Sequence, residues 1–159
     1  MDTAPEDRDV EVLDEARCLA LLGSVPLGRI AFTEGALPAV QPVAFALADG
    51  EVFIPTHRDS TVAAASRGAV VAFEVDEFDA STRTGWNVTI VGASRLIHDP
   101  AEVGRLDELG VQPWASADAH CYIGIQARLV RGRRISRPAA AAQAAPGSLD
   151  GTPHPVVPA

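Results

Sequence analysis

Fourteen residues, Gly85 to His98 (GWNVTIVGASRLIH), constrain this chain more than any others. Read as a strand, they place Trp86, Val88, Ile90 and Gly92 on one face, because successive side chains of an extended chain point to opposite sides. A strand of this length with a glycine in its interior cannot remain a flat ladder member. Gly92 predicts a bulge or bend of the kind that lets a sheet curl into a barrel.

The segments around it are short and alternate in the same way. Leu27 to Phe32 has period two, Glu34-Gly35 supplies a turn, and Leu37 to Leu47 is the second arm of a hairpin. Ala48-Asp49-Gly50 predicts another hairpin, since Asp-Gly tolerates the positive φ of a tight turn, with Glu51 to Ile54 returning. Ala69 to Val75, Tyr122 to Ile125 and Ala127 to Ile135 are further strands, and Asp76 to Arg83 reads as a polar loop. Three short helices are expected: one ending at Gly23 with Asp14 and Glu15 near its start, one over Ser60 to Arg67 capped by Asp59 or Ser60, and one from Asp99-Pro100 to about Leu109. Six or seven strands with helices packed outside predict an α+β class, an antiparallel split β-barrel.

With 159 residues the chain has the size of one domain, expected over 12–136. The acidic segment 1–11 and the Ala/Pro-rich segment 137–159 are expected to be flexible ends. A net charge of −8 disfavours a nucleic-acid surface, which needs clustered positive charge. Apolar runs far shorter than a bilayer span predict no membrane segment and a cytoplasmic location. Every one of the 13 basic residues is arginine, so anions must be met by guanidinium, backbone N–H or hydroxyl groups. Cys18 and Cys121 have neither zinc nor disulfide spacing, and Cys18 and Cys121 read as buried apolar filler. His57, His98, His120 and His154 share no metal-ligand spacing, so no metal is expected.

Three stretches carry candidate chemistry. Pro55-Thr56-His57-Arg58-Asp59-Ser60-Thr61 runs from a strand end into a helix start, where free N–H groups, hydroxyls and a guanidinium suit a phosphate or simply form a capped helix. Trp86-Asn87 offers an aromatic plane that either stacks on a ring or fills the core. Arg131-Gly132-Arg133-Arg134 either grips a phosphate or forms a solvated strand edge. Asp76, Glu77 and Asp79 lack the burial a catalytic carboxylate pair needs, and no catalytic residue is assigned.

The order of Leu27-Gly28-Arg29-Ile30-Ala31, Pro38 to Phe45, Val71 to Asp76, Gly85 to Ala93, Pro113-Trp114 and Gly132 to Ile135 resembles the pyridoxamine 5′-phosphate oxidase-like family of FMN-binding split β-barrels, in its small nitroimidazole-resistance-like branch. The resemblance covers about Leu13 to Ile135. It implies a homodimer with FMN in clefts between subunits. Pro42, Val43, Phe45 and Ile54 to Thr56 would line the flavin ring. Thr56, Ser60 and Thr61 would face its phosphate, with His57 and Arg58 nearby. Trp86, Asn87, Arg133 and Arg134 would approach from across the dimer or from neighbouring strands. Where relatives look like Arg-Thr-x-x-Gly-x-Lys, this chain has Pro55 and Thr61 in place of the two cations and Asp59 in place of the glycine. Losing two charge-assisted hydrogen bonds would weaken FMN binding by about two to four powers of ten unless compensated.

The implied function is a flavin-dependent oxidoreductase acting on a small molecule, with FMN or a deazaflavin as cofactor. The altered phosphate loop favours an alternative, a non-catalytic dimeric protein holding haem, another flavin or a pathway intermediate in the same cleft. A bare dimerisation or partner-binding scaffold is the third possibility.

Overall fold

Strand β7 (Thr84–Ile97) organises the sheet because it hydrogen-bonds to three partners. Along one edge it pairs with β6 (Val70–Asp79), in register from Val70 opposite Ala93 to Asp79 opposite Thr84. Along the other it pairs first with β9 (Leu129–Ser136), over Gly85 to Val91, and then with β8 (Cys121–Gln126), over Ser94 to Ile97. The change of partner falls at Gly92, against which the chain leaving β8 passes. A Cβ on Gly92 would collide with the backbone carbonyl of Gln126, so the expected bend at Gly92 is a close backbone approach.

The computed structural model describes residues 9–114 and 120–137; residues 1–8 and 138–159, which make up most of the two ends expected to be flexible, lie outside the described residues. In chain order the other elements are β1 (Asp9–Leu13), α1 (Glu15–Leu22), β2 (Leu27–Glu34), β3 (Leu37–Ala44), β4 (Ala46–Ala48), β5 (Glu51–Thr56), α2 (Thr61–Ser66) and α3 (Pro100–Asp107). The main path through the sheet runs β3-β2-β6-β7-β8-β5-β4, with β9 and then β1 branching from β7. The ladder does not close on itself: its two ends, β3 and β4, are halves of one bent segment joined through Phe45. This is a split barrel with short helices, an α+β fold.

Nine strands are present among the described residues where the sequence led us to expect six or seven. Part of the difference is the bend at Phe45, which divides Leu37 to Leu47 in two. The rest is β1, which begins inside the segment 1–11 expected to be flexible and ends at Leu13. Its Val10 and Val12 are exposed and Leu13 reaches the core; an antiparallel ladder to β9, with Glu11 opposite Arg134 and Val12 opposite Arg133, holds the rest. Glu11 is also hydrogen-bonded by Arg17 of α1, which holds its carboxyl below the usual range. The polar loop expected over Asp76 to Arg83 is shorter than that. Asp76 to Asp79 continue β6, because each faces a residue of β7 across the ladder, and the turn is confined to Ala80–Arg83. Asp79 closes it by accepting from the Ser81 N–H at 2.8 Å and the Ser81 hydroxyl at 2.6 Å.

The Asp49-Gly50 turn forms as expected, with φ of 50° and 73°. All three helices start on side-chain caps: Asp14 accepts from Arg17 N–H, Ser60 from Ala63 N–H and Asp99 from Glu102 N–H. Inside the sheet, Ile30, Phe73, Val75, Val88, Ile90, Ile123 and Ile125 form a dry core. Phe73 packs edge-on to Phe45 with ring centres 4.8 Å apart and lies over Gly28, which leaves no room for a side chain there. A smaller cluster of Phe53, Ile97, Leu106 and Tyr122 fixes α3 against β5, β7 and β8, and the Tyr122 hydroxyl donates to Asp107 at 2.7 Å.

Two outcomes follow. Gly92→Ala should lower unfolding free energy by about 3 kcal/mol, since the obstacle is backbone and cannot rotate away. Gly104→Ala, on the exposed side of α3 with nothing near its would-be Cβ, should raise it by about 0.5–1 kcal/mol. Urea midpoints of the two variants check this pair. Burial, and then the hydrogen bond to Asp107, push Tyr122 well above the ordinary tyrosine range. A raised folded-state value makes its contribution to stability complete below the unfolded value of about 10 and lost as pH climbs past it. As the chain contains one tyrosine, an ultraviolet titration should show no tyrosinate in the folded protein at a pH where the denatured chain is already ionised.

Candidate ligand-binding cleft

The split between β3 and β5 opens a cleft of about 150 Å³. One wall is the end of β3, Gln41 to Ala44. The other is the end of β5, Ile54 to Thr56, continued by His57, Ser60 and Val62 at the start of α2. Pro113 and Trp114, beyond α3, form the lip, and Trp114 is 72% exposed. β3 is free to serve as a wall because among the described residues it pairs with β2 alone, and Pro38 and Pro42 are tolerated on such an edge. Pro55 is tolerated for a related reason: β4 ends opposite Phe53, so Ile54 to Thr56 have a ladder partner on one side, β8.

The polar floor is a hydroxyl pair. Thr56 Oγ1 and Ser60 Oγ are 2.9 Å apart, while Ser60 Oγ also accepts from the Ala63 N–H at 3.1 Å. Of the two possible caps for α2, Ser60 fills the position and Asp59 lies exposed. Behind the wall, Cys121 donates its thiol to the Thr56 carbonyl at 3.2 Å, and burial pushes that thiol up, out of the nucleophilic range. Cys18 is likewise buried and raised. His57 lies edge-on to His120, ring centres 6.4 Å apart. Among the described residues no three His, Cys, Asp or Glu side chains converge as metal ligands.

Of the residues singled out in the sequence, Pro42, Val43, Pro55, Thr56, His57 and Ser60 are brought together here. The others are not. Phe45 faces the core against Phe73, because the chain kinks at the end of β3 and turns that ring inward. Thr61 is exposed on the first turn of α2. Arg58 lines a separate groove of about 460 Å³ with Arg67, Gly68, Ser94, Arg95, Leu96 and His98. Trp86 is largely core, its edge lining a third groove with Arg134. Asn87 and Arg133 face each other across the β7–β9 ladder. Within one chain, therefore, neighbouring strands do not deliver Trp86, Asn87, Arg133 or Arg134 to the cleft. Sequence reasoning had not placed Gln41, Val62, Pro113 or Trp114 in the site. Pro113 and Trp114 sit on irregular chain, where no periodicity reports which way a side chain faces.

Among the described residues the cleft therefore offers aliphatic and proline walls, two hydroxyls, the side chains of Gln41 and His57, an exposed indole at its mouth, and no arginine. That set fits a flat, largely neutral ring system better than a free anion. Its volume is below the roughly 300–1,000 Å³ of a complete small-molecule site, so one copy encloses part of such a ligand.

The family model described as pyridoxamine 5′-phosphate oxidase matches residues 14–145. An uncharacterized protein of Mycobacterium tuberculosis is 38% identical over 133 residues, which span 80% of this chain and 87% of the relative. Among solved structures, an FAD-binding protein from Mycobacterium smegmatis superposes with a TM-score of 0.62 at 25% identity, covering 79% of this chain and 98% of that one. An FAD- and haem-binding protein from the same organism shares the fold, with a TM-score of 0.60 at 19% identity over 89% of this chain and 92% of that one.

At the α2 junction, Ser60→Ala should cost about 1 kcal/mol of unfolding free energy by removing the cap, while Asp59→Ala stays within about 0.5 kcal/mol of the parent. Equal losses in thermal or urea unfolding would show that the cap had been misassigned.

Proposed function

Since the chain belongs to the pyridoxamine 5′-phosphate oxidase family, we propose that it binds a flavin in the cleft between β3 and β5 and works as a flavin-dependent oxidoreductase on a small molecule. The observation that carries this reading is the cleft itself: walls of Pro42, Val43, Pro55 and Val62 with the Thr56–Ser60 hydroxyl pair on the floor. The FAD-binding M. smegmatis protein, nearly all of whose length this chain matches, supports the flavin class. FMN is the species we favour.

A bound flavin supplies hydride or single-electron transfer. The chain's own residues bind and orient. Pro42, Val43, Pro55 and Val62 exclude water from the ring faces, while Thr56 and Ser60 present hydroxyls that reorient to donate or accept. Binding and orientation are the roles these residues fill.

We further propose a homodimer in which a second copy completes the enclosure. The cleft is too small and open to cover a tricyclic ring alone, and the strand that forms one wall leaves Leu37 and Val40 exposed on an unpaired edge, with Trp114 exposed at the lip. Among the described residues no helix is long and apolar enough to cross a membrane, in keeping with a proposed site of action in the cytoplasm.

Titration with FMN, FAD and riboflavin, followed by flavin fluorescence, should show saturable binding, and light scattering should report two subunits. A Soret band in the purified protein would favour the haem-binding alternative. Absence of any flavin binding would overturn the proposal.

A further inference from the structure

The groove that adjoins the cleft is larger and carries the charge the cleft lacks. Arg58 precedes α2, Arg67 caps its other end, β7 contributes Ser94, Arg95 and Leu96, and His98 follows it, around a groove of about 460 Å³. Arg95 is already satisfied: it donates to Glu51 at 2.9 and 3.3 Å and pairs with Glu102 at 2.8 Å. Arg58 and Arg67 are not. Among the described residues neither guanidinium makes a hydrogen bond or an ion pair, although acidic residues outnumber basic ones 21 to 13. Two guanidiniums without carboxylate partners thus line one concavity in an acidic chain, with the exposed Asp59 next to Arg58 along the chain. The groove also has room: a Cβ at Gly68 would meet nothing within 4 Å. It is adjacent to the cleft along the chain, since His57 lines one and Arg58 the other.

Resting on the reading that the cleft takes a flavin ring, we propose that this groove is the anion subsite for the same ligand, with Arg58 and Arg67 binding the phosphate of FMN or the pyrophosphate of FAD. A planar fork of N–H donors suits either group, and inorganic pyrophosphate shares its chemistry. The charge for the ligand's tail is thereby supplied from the groove beside the ring and not from the helix start beneath it.

The experiment compares riboflavin, FMN and FAD on the parent chain, Arg58→Gln, Arg67→Gln and the double variant, by fluorescence titration. Both residues are exposed, so the substitutions spare the fold. Each should weaken the phosphorylated flavins by about five- to tenfold, less than a buried pair would, and leave riboflavin unchanged. A larger loss for FAD than for FMN assigns the pyrophosphate, and inorganic pyrophosphate should displace both. Equal loss for all three flavins, or no loss for any, overturns the subsite while leaving flavin binding intact. Should the parent bind no flavin at all, the cleft reading fails and calorimetry with inorganic pyrophosphate judges the groove by itself. Heat abolished in the double variant supports an anion site there, and no heat overturns it.

Discussion

The passage of the Gln126 carbonyl against Gly92 is the contact on which the rest of the architecture depends. It lets one strand, β7, give its edge to β9 before that point and to β8 after it. Any side chain at position 92 would hold the crossing chain away and disturb the pairing of β8 with β7. β5 is then seated by β8, so the wall containing Ile54 to Thr56 depends on the same close approach. The opposite wall depends on the kink at Phe45, where the ring drives into the core against Phe73 and the chain leaves β2 for β5. The cleft exists because these two devices keep a nearly closed barrel open along one seam.

Charge is distributed around that seam with a consistent logic. Arg29 on β2 reaches Glu74 at 3.4 Å and Asp76 at 3.3 Å, and Glu74, partly buried and next to another carboxylate, is raised in spite of it. Arg95 is divided between Glu51 and Glu102, which ties β7 to β5 and α3. These exposed pairs contribute little stability individually, and their effect is to fix neighbours and consume arginines. Arg58 and Arg67 are what remains unconsumed around the groove beside the cleft.

Much of this was legible in the residues. Period-two alternation, the Asp49-Gly50 turn and the three capped helices follow from local rules, and local rules act over a few residues whatever the rest of the chain does. Gly92 was legible too, as an interior glycine with no local reason to be one. What escaped is non-local. β1 forms because β9 offers a ladder, and Asp76 to Asp79 extend β6 because β7 runs alongside; in neither case does the segment's own hydrophobicity report it. The site divides the same way. Pro55, Thr56, His57 and Ser60 lie in one strand-to-helix junction and stay together, whereas Phe45, two residues from Val43, is separated from it by a kink.

Burial at the β5–α2 junction bears on the altered phosphate loop. Residue 55 lies in a buried wall of the cleft, next to Thr56, which is 9% exposed, whereas Thr61 is exposed on the first turn of α2. A cation at position 55 would be partly desolvated before any ligand arrived, which costs free energy in the unliganded protein. Position 58 lies in the turn whose Ser60 N–H donates to the His57 carbonyl at 3.1 Å, and it is exposed. A guanidinium at that point remains hydrated until an anion displaces the water. In the proposed arrangement, positive charge at Arg58 in place of residue 55 avoids that desolvation cost while staying one residue from His57 of the cleft.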